Sequence, residues 1–158
     1  MLRAFLLSLG DTELASMLRQ SDIAYPLISA THIIGVGLVL GNMVLFDFRL
    51  LGVIRQRQVT ELFPLLRRLA AVGLLLAITT GILLFSVQPA HYLANNAFIL
   101  KLGLLGLALI NILLVHRLAA WQAALAGQPV APILKICALI SLFLWLAILI
   151  AGRWIAFI

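Results

Sequence analysis

The chain is poor in charge. Only 10% of its 158 residues are Asp, Glu, Lys or Arg, against about a quarter in an ordinary soluble domain. It has 5 acidic residues and 1 cysteine, so no internal disulfide can form. HExxH, CxxC, P-loop and Ser-His-Asp patterns are absent from the sequence, which leaves hydrolytic and phosphoryl-transfer chemistry without support. These shortages exclude a typical soluble enzyme.

Apolar residues dominate what is there: they make up 65% of the chain, and the mean hydropathy is +1.21. Crossing a bilayer takes about 20 apolar residues, and four segments qualify, at about 23–46, 69–87, 97–115 and 133–151. Backbone groups in lipid must be satisfied internally, so the segments predict an all-α integral membrane protein, a four-transmembrane-helix bundle. We expect one membrane domain with an N-terminal interfacial segment over 1–22, where residues 11–20 form a short helix capped by Asp11.

Basic residues predict the orientation. The segments joining spans one to two and three to four hold Arg49, Arg55, Arg57, Arg67, Arg68, Arg117 and Lys135. The other side holds Arg3, Arg19, Lys101 and Arg153. The positive-inside rule therefore predicts a multi-pass protein of the bacterial inner (cytoplasmic) membrane with both termini outside. Membrane topology then explains the net charge of +6, which does not indicate a nucleic-acid partner. The expected aromatic belt is Tyr25, Tyr92 and Trp154 outside and Trp121 inside.

Small residues at helical spacing predict where helices touch. Gly37 and Gly41 form such a pair on the first span, and Gly73, Ala77 and Gly81 form a row on the second. Rows of this kind let two backbones approach closely in lipid, so we expect helix contacts at both.

An outer set of polar residues centres on His32, roughly 14 Å below the outer surface at about 1.5 Å per residue. Placing a histidine at this depth in a membrane costs free energy, and this cost suggests that the residue has a function. Lys101 and Arg153 come on the same side, where they would hold the acidic groups of a ligand, and His91 lies in the outer connection. The predicted ligand is a b-type haem held by His32, with quinone or copper as alternatives. A neutral His32 bonded to a neighbouring helix remains an open interpretation.

An inner set predicts a structural ion network at the cytoplasmic face. Its members are Asp47, Arg49, Arg67, Arg68 and His116. We expect Asp47 to pair with one of the arginines across helices and Asn111 to form an interhelical hydrogen bond. His116 lies about 10–20 Å deeper than His32, and nitrogen ligands sit about 2 Å from a metal, so the two histidines should not share one.

Several stretches resemble a known family. "SDIAYPLISATHIIGVGLVLGNMVLFDFRLLG", "TTGILLF", "HYLANNAFILKLGLLGLALINILLVH" and "AGRWIAF" are similar to small bacterial four-helix membrane proteins catalogued as a domain of unknown function. The resemblance covers nearly the whole chain and implies an inner-membrane location. It draws attention to His32, Asp47, Arg49, Asn95, Lys101, His116 and Arg153. A looser likeness is to copper-resistance membrane proteins and four-helix b-type cytochromes, through helix count and an intramembrane histidine.

Three functions compete. The first is a redox-linked membrane subunit for electron transport, with haem or quinone at His32. The second is a non-catalytic anchor or accessory subunit, bound to other membrane subunits or to copies of itself. The third is a small copper-permease-like transporter, for which the sequence offers few polar groups within the spans: His32, Thr79, Thr80, Asn111 and Asp47.

Overall fold

The computed structural model describes residues 1–54 and 59–157. It describes the side chains of all these residues except residue 2 and residues 59–62. Its helices are α1 (Leu2–Ser8), α2 (Glu13–Gln20), α3 (Ala24–Leu51), α4 (Val59–Val87), α5 (Pro89–Ala94), α6 (Asn96–Arg117), α7 (Ala119–Leu125) and α8 (Pro132–Trp154), with a 3-10 turn (Leu9–Asp11) after α1. Within the described ranges, four helices are long and apolar enough to cross a membrane: α3, α6, α8 and the Phe63–Val87 part of α4. The predicted four-helix membrane bundle is confirmed.

The four long helices pack in the order α4, α3, α8, α6, because α3 contacts α4 and α8, and α6 contacts α8. Two clusters of buried apolar side chains fill the space between them. One consists of Val39, Ala108, Leu144, Trp145 and Ile148. The other consists of Leu50, Val115, Trp121, Ala124, Leu134 and Ala138. Most remaining large apolar side chains of these helices face outward, as lipid-facing residues do.

The closest backbone approach is the crossing of α3 and α4 at Gly35 and Gly73. A Cβ added to Gly73 would lie 2.8 Å from the Gly35 carbonyl oxygen, and one added to Gly35 would lie 2.8 Å from the Ala77 nitrogen. The predicted contact row on the second span is therefore confirmed. The predicted contact at Gly37 and Gly41 is wrong for this bundle: both face outward, and a Cβ on either meets no described atom within 4 Å.

Both chain ends lie at the same end of the bundle. Gly10 packs against Pro89 of α5, so closely that a Cβ would come 2.8 Å from the proline ring. Asn95 caps α6 by accepting from the Ala97 and Phe98 amides at 3.0 and 3.2 Å, and it donates to the Ile155 carbonyl at 3.1 Å. We call this the α5 end and the opposite one the α7 end.

Two long helices extend beyond the predicted spans. α3 continues to Leu51 and stops at Gly52, whose φ of 83° closes the helix while the Val53 amide bonds back to the Phe48 carbonyl at 3.0 Å. α4 begins at Val59 and includes Pro64. Arg55 and Arg57, assigned to this connection, lie outside the described residues.

Two local predictions are wrong. α2 is capped by Thr12, whose hydroxyl accepts from the Ala15 amide at 3.3 Å, while Asp11 belongs to the preceding turn. Trp121, expected in an aromatic belt, is only 2% exposed. It is buried because α7 packs against α4, α6 and α8 at the bundle's end and turns the indole inward.

Candidate functional site

His32 lies in the half of the bundle near the α5 end and reaches across to α4. Its Nδ1 is 3.0 Å from the hydroxyl oxygen of Thr80, and the ring also hydrogen-bonds the backbone of Ala77. Gly81 makes room for the contact, because a Cβ there would come within 3.2 Å of the ring carbon Cε1. The interpretation of His32 as a histidine bonded to a neighbouring helix is therefore confirmed at Nδ1.

The partners of Nδ1 define which ring nitrogen carries the proton. The Thr80 hydroxyl donates its hydrogen to the Leu76 carbonyl one turn earlier, so its oxygen accepts from His32. A neutral imidazole has one N–H donor and one bare nitrogen. Nδ1 is the donor, and Nε2 keeps its lone pair. Among the described residues the side-chain hydrogen bond of the ring is made at Nδ1, and Cε1 and Nδ1 are the ring atoms nearest Gly81.

Lys101 of α6 is the charged group next to this histidine. Its ammonium is near enough to act electrostatically on the His32 ring. Its side chain lies along α8 at Gly152, where a Cβ would sit 3.4 Å from Nζ. All four long helices thus contribute to one region, with His32 from α3, Thr80 and Gly81 from α4, Lys101 from α6 and Gly152 from α8.

The other two residues predicted for this site point elsewhere. The Arg153 guanidinium lies over the Phe157 ring, 4.8 Å from its centroid, and the side chain is exposed. His91 is exposed on α5, and its ring contacts that of Tyr92 at 5.9 Å. Among the described residues, the cation that acts on His32 is therefore Lys101. In the residues that the structure describes, no group of three or more His, Cys, Asp or Glu side chains could hold a metal ion.

Three members of the inner set, Asp47, Arg67 and His116, line a cavity of about 230 Å³. Asp47 is buried in its wall with the Ser141 hydroxyl facing the carboxyl, and Arg67 lines the same cavity. Within the described part of the chain, Asp47 Oδ2 has no hydrogen-bond partner. The carboxyl thus faces a serine where we expected an arginine. Arg67 and Arg68 are exposed, and Arg49 is half-buried near the C-terminus of α3.

His116 belongs to an aromatic cluster at the α7 end, remote from His32. Its ring centroid lies 5.1 Å from that of Trp121 and 5.9 Å from that of Phe63. Nδ1 donates to the Ile112 carbonyl at 2.7 Å. Phe46 completes the cluster by contacting both Phe63 and Trp121.

Among the cavity residues that were not predicted as site residues are three with polar groups in the wall: Asn42, Ser141 and Trp145. The Asn42 amide nitrogen donates to the Leu38 carbonyl at 2.6 Å. Trp145 is buried, and its indole Nε1–H has no hydrogen-bond partner among the described residues. For Asn42 and Ser141 the available signal was a polar residue within an apolar span. The predicted interhelical bond of Asn111 is confirmed, since its amide donates to the Cys137 carbonyl of α8 at 3.1 Å.

Comparison with known proteins adds no relative. No family model, curated protein or solved structure matches the chain. The class that the fold defines is a small multi-pass membrane protein with lipid-facing helices.

Proposed function

We propose that the chain is a redox-linked membrane subunit in which Nε2 of His32 contacts an electron carrier. The observation that carries this proposal is the geometry of the imidazole. Thr80 holds Nδ1, which leaves Nε2 of the half-buried ring as the nitrogen for a ligand. Histidines that bind a ligand are commonly oriented in this way, through a hydrogen bond from their other nitrogen.

A quinol and a b-type haem both use a bare imidazole nitrogen, and the quinol fits this site better. A quinol hydroxyl needs a single acceptor, and it reaches a half-buried ring directly from the lipid. His32 would hold a haem through Nε2. The only other histidines in the sequence are His91 and His116, and both point elsewhere in the structure, so neither would help to hold it. We therefore propose a quinol at Nε2.

Lys101 gives the proposed site its second contact. An ammonium offers three donors and no acceptor, so it complements an imidazole whose free nitrogen accepts. A quinol places one oxygen where it donates to His32 and another where it accepts from a cation. Lys101 also lies against Gly152, where an added Cβ would be in van der Waals contact with the lysine side chain.

The test is carrier content in purified protein. The protein in mild detergent would be analysed for extractable quinone and for a haem absorption band, in the wild type, in His32→Ala and in His116→Ala. His116 is the matched control, because it is a histidine at the other end of the bundle. We expect bound quinone in the wild type and His116→Ala, and at least about tenfold less in His32→Ala, the loss of about 1.4 kcal/mol.

Other results would decide against this function. A haem absorption band that is lost in His32→Ala would show that haem, and not quinol, binds at Nε2. A preparation free of both carriers that stays with a membrane partner would favour the accessory-subunit interpretation.

A further inference from the structure

The geometry points to a second ligand site, independent of His32: the cavity at the α7 end binds a neutral ring compound that carries a hydroxyl group. The cavity lies between α3, α4, α6 and α8. His32 is not among the residues that line it.

Two buried polar atoms in its wall lack partners. Asp47 is 4% exposed and Trp145 is 5% exposed. Asp47 Oδ2 and Trp145 Nε1 make no hydrogen bond within the described ranges. Buried polar groups of native proteins are nearly always satisfied, and leaving one unpaired costs about 1–3 kcal/mol. An occupant of the cavity that satisfies both atoms removes that cost.

The pair of atoms selects the chemistry of the occupant. An indole N–H can only donate, and an ionised carboxylate can only accept. An ammonium would serve Asp47 and leave Trp145 unpaired. A carbonyl would serve Trp145 and leave an ionised Asp47 unpaired. A hydroxyl both donates and accepts, so it serves both atoms, and it does so whether or not Asp47 carries a proton.

The walls of the cavity suit a ring. Phe46, Phe63 and Trp121 line one part of it with rings in mutual edge contact, Phe63 and Trp121 at 4.8 Å with planes 78° apart. Most other lining residues are aliphatic. Cavities of about 150 Å³ with apolar walls hold a benzene molecule. At about 230 Å³, this cavity is large enough for a substituted ring.

The occupant has a route to enter. Arg67 and His116 line the cavity and are exposed on the surface of the bundle. Arg67 lies over the Phe63 ring, 5.8 Å from its centroid, so its movement would uncover the aromatic wall. Water is the competing occupant, because it too donates and accepts. The experiment must therefore separate a ring compound from water.

Fluorine NMR makes that separation. The purified protein in detergent would be titrated with 4-fluorophenol, with 4-fluoroanisole, whose oxygen accepts but does not donate, and with fluorobenzene, which has no oxygen. Detergent without protein corrects for partitioning. We expect saturable binding of 4-fluorophenol, about tenfold tighter than that of fluorobenzene, with 4-fluoroanisole in between, because each hydrogen bond contributes about a five- to tenfold change.

Matched variants assign the binding to this cavity. Trp145→Phe keeps a ring but removes the donor, and it should reduce the preference for 4-fluorophenol over fluorobenzene several-fold. Trp154→Phe is the control, because Trp154 is exposed and lies outside the cavity. Ala138→Leu fills space at a buried cavity residue and should abolish binding of all three compounds. His32→Ala should leave it unchanged, so this site and the proposed function fail separately.

Three results would overturn the inference. The first is the absence of saturable 4-fluorophenol binding, which would leave water as the occupant. The second is equal affinity for 4-fluorophenol and fluorobenzene in the wild type. The third is 4-fluorophenol binding that survives Ala138→Leu in a variant whose circular dichroism and elution volume match the wild type. If Ala138→Leu does not fold, Ser141→Ala, which removes the hydroxyl facing Asp47, takes its place and should weaken 4-fluorophenol alone.

Discussion

Gly73→Ala should destabilise the bundle by separating α3 from α4. The added Cβ would lie 2.7 Å from the Leu38 Cβ, 2.8 Å from the Gly35 carbonyl oxygen and 2.9 Å from the Val39 nitrogen. Two of these three atoms are backbone, so no side-chain rotation relieves the contact and one helix must move. The Thr80 contact with His32 lies on the same pair of helices and would be displaced with it.

The expected magnitude follows from the cost of an overpacked contact, about 1–3 kcal/mol. Replacing glycine by alanine inside a helix contributes about 0.5–1 kcal/mol in the opposite direction. Gly41→Ala measures that second effect alone, because no described atom lies within 4 Å of its Cβ. The difference between the two variants should therefore be about 1–3 kcal/mol, with Gly73→Ala the less stable.

Unfolding by added SDS in mixed micelles, followed by circular dichroism, gives this difference. Gly35→Ala should behave like Gly73→Ala, since its Cβ would come within 2.9 Å of the Gly73 carbonyl oxygen. If Gly73→Ala were as stable as Gly41→Ala, this result would refute the close crossing of α3 and α4 at Gly35 and Gly73.

Three further changes test other contacts. Thr80→Val leaves the imidazole N–H without its hydroxyl acceptor and should cost about 1–2 kcal/mol in SDS unfolding, whereas Thr79→Val, at an exposed position, should cost less. Asn95→Ala removes the α6 cap and should cost about 1–2 kcal/mol by the same measurement, with partial recovery in Asn95→Asp. Burial, and to a smaller extent the neighbouring Tyr25, raise the pKa of Tyr92 from 10.0 to about 12. The neutral form stabilises the fold fully below pH 10, and this contribution is lost as the pH rises through about 12. In Tyr25→Phe, phenolate absorbance should report a lower Tyr92 pKa that still exceeds 10, because burial is the larger cause; a pKa of 10 would contradict it.

Hydropathy was sufficient to predict four spans, because lipid leaves the backbone few other options. It was insufficient to predict which glycines meet. Gly37 and Gly41 have the spacing of a contact pair, but His32, Gly35, Val39 and Asn42 recur every three or four residues and share the inward face of α3. The polar residues His32 and Asn42 mark that face, since polar side chains in a span turn inward.

The candidate sites were less predictable than the fold. The sequence singles out His32, but the tautomer depends on Thr80, forty-eight positions away, and on the carbonyl that takes its hydroxyl hydrogen. Trp145 resembles any apolar span residue until the packing shows that its N–H meets no acceptor among the described residues. Both features depend on which faces of the helices are in contact. That packing cannot be read from a local stretch of a single sequence.

The most direct test of the account is the nitrogen-15 NMR spectrum of labelled histidine in the folded protein, before and after loading with a short-chain quinol. His32→Ala identifies the signals of His32. The account predicts a protonated Nδ1, a bare Nε2, and a change at Nε2 on loading, with no change for His116. A His32 whose Nε2 carries the proton, or whose Nε2 signal ignores the quinol, would contradict it.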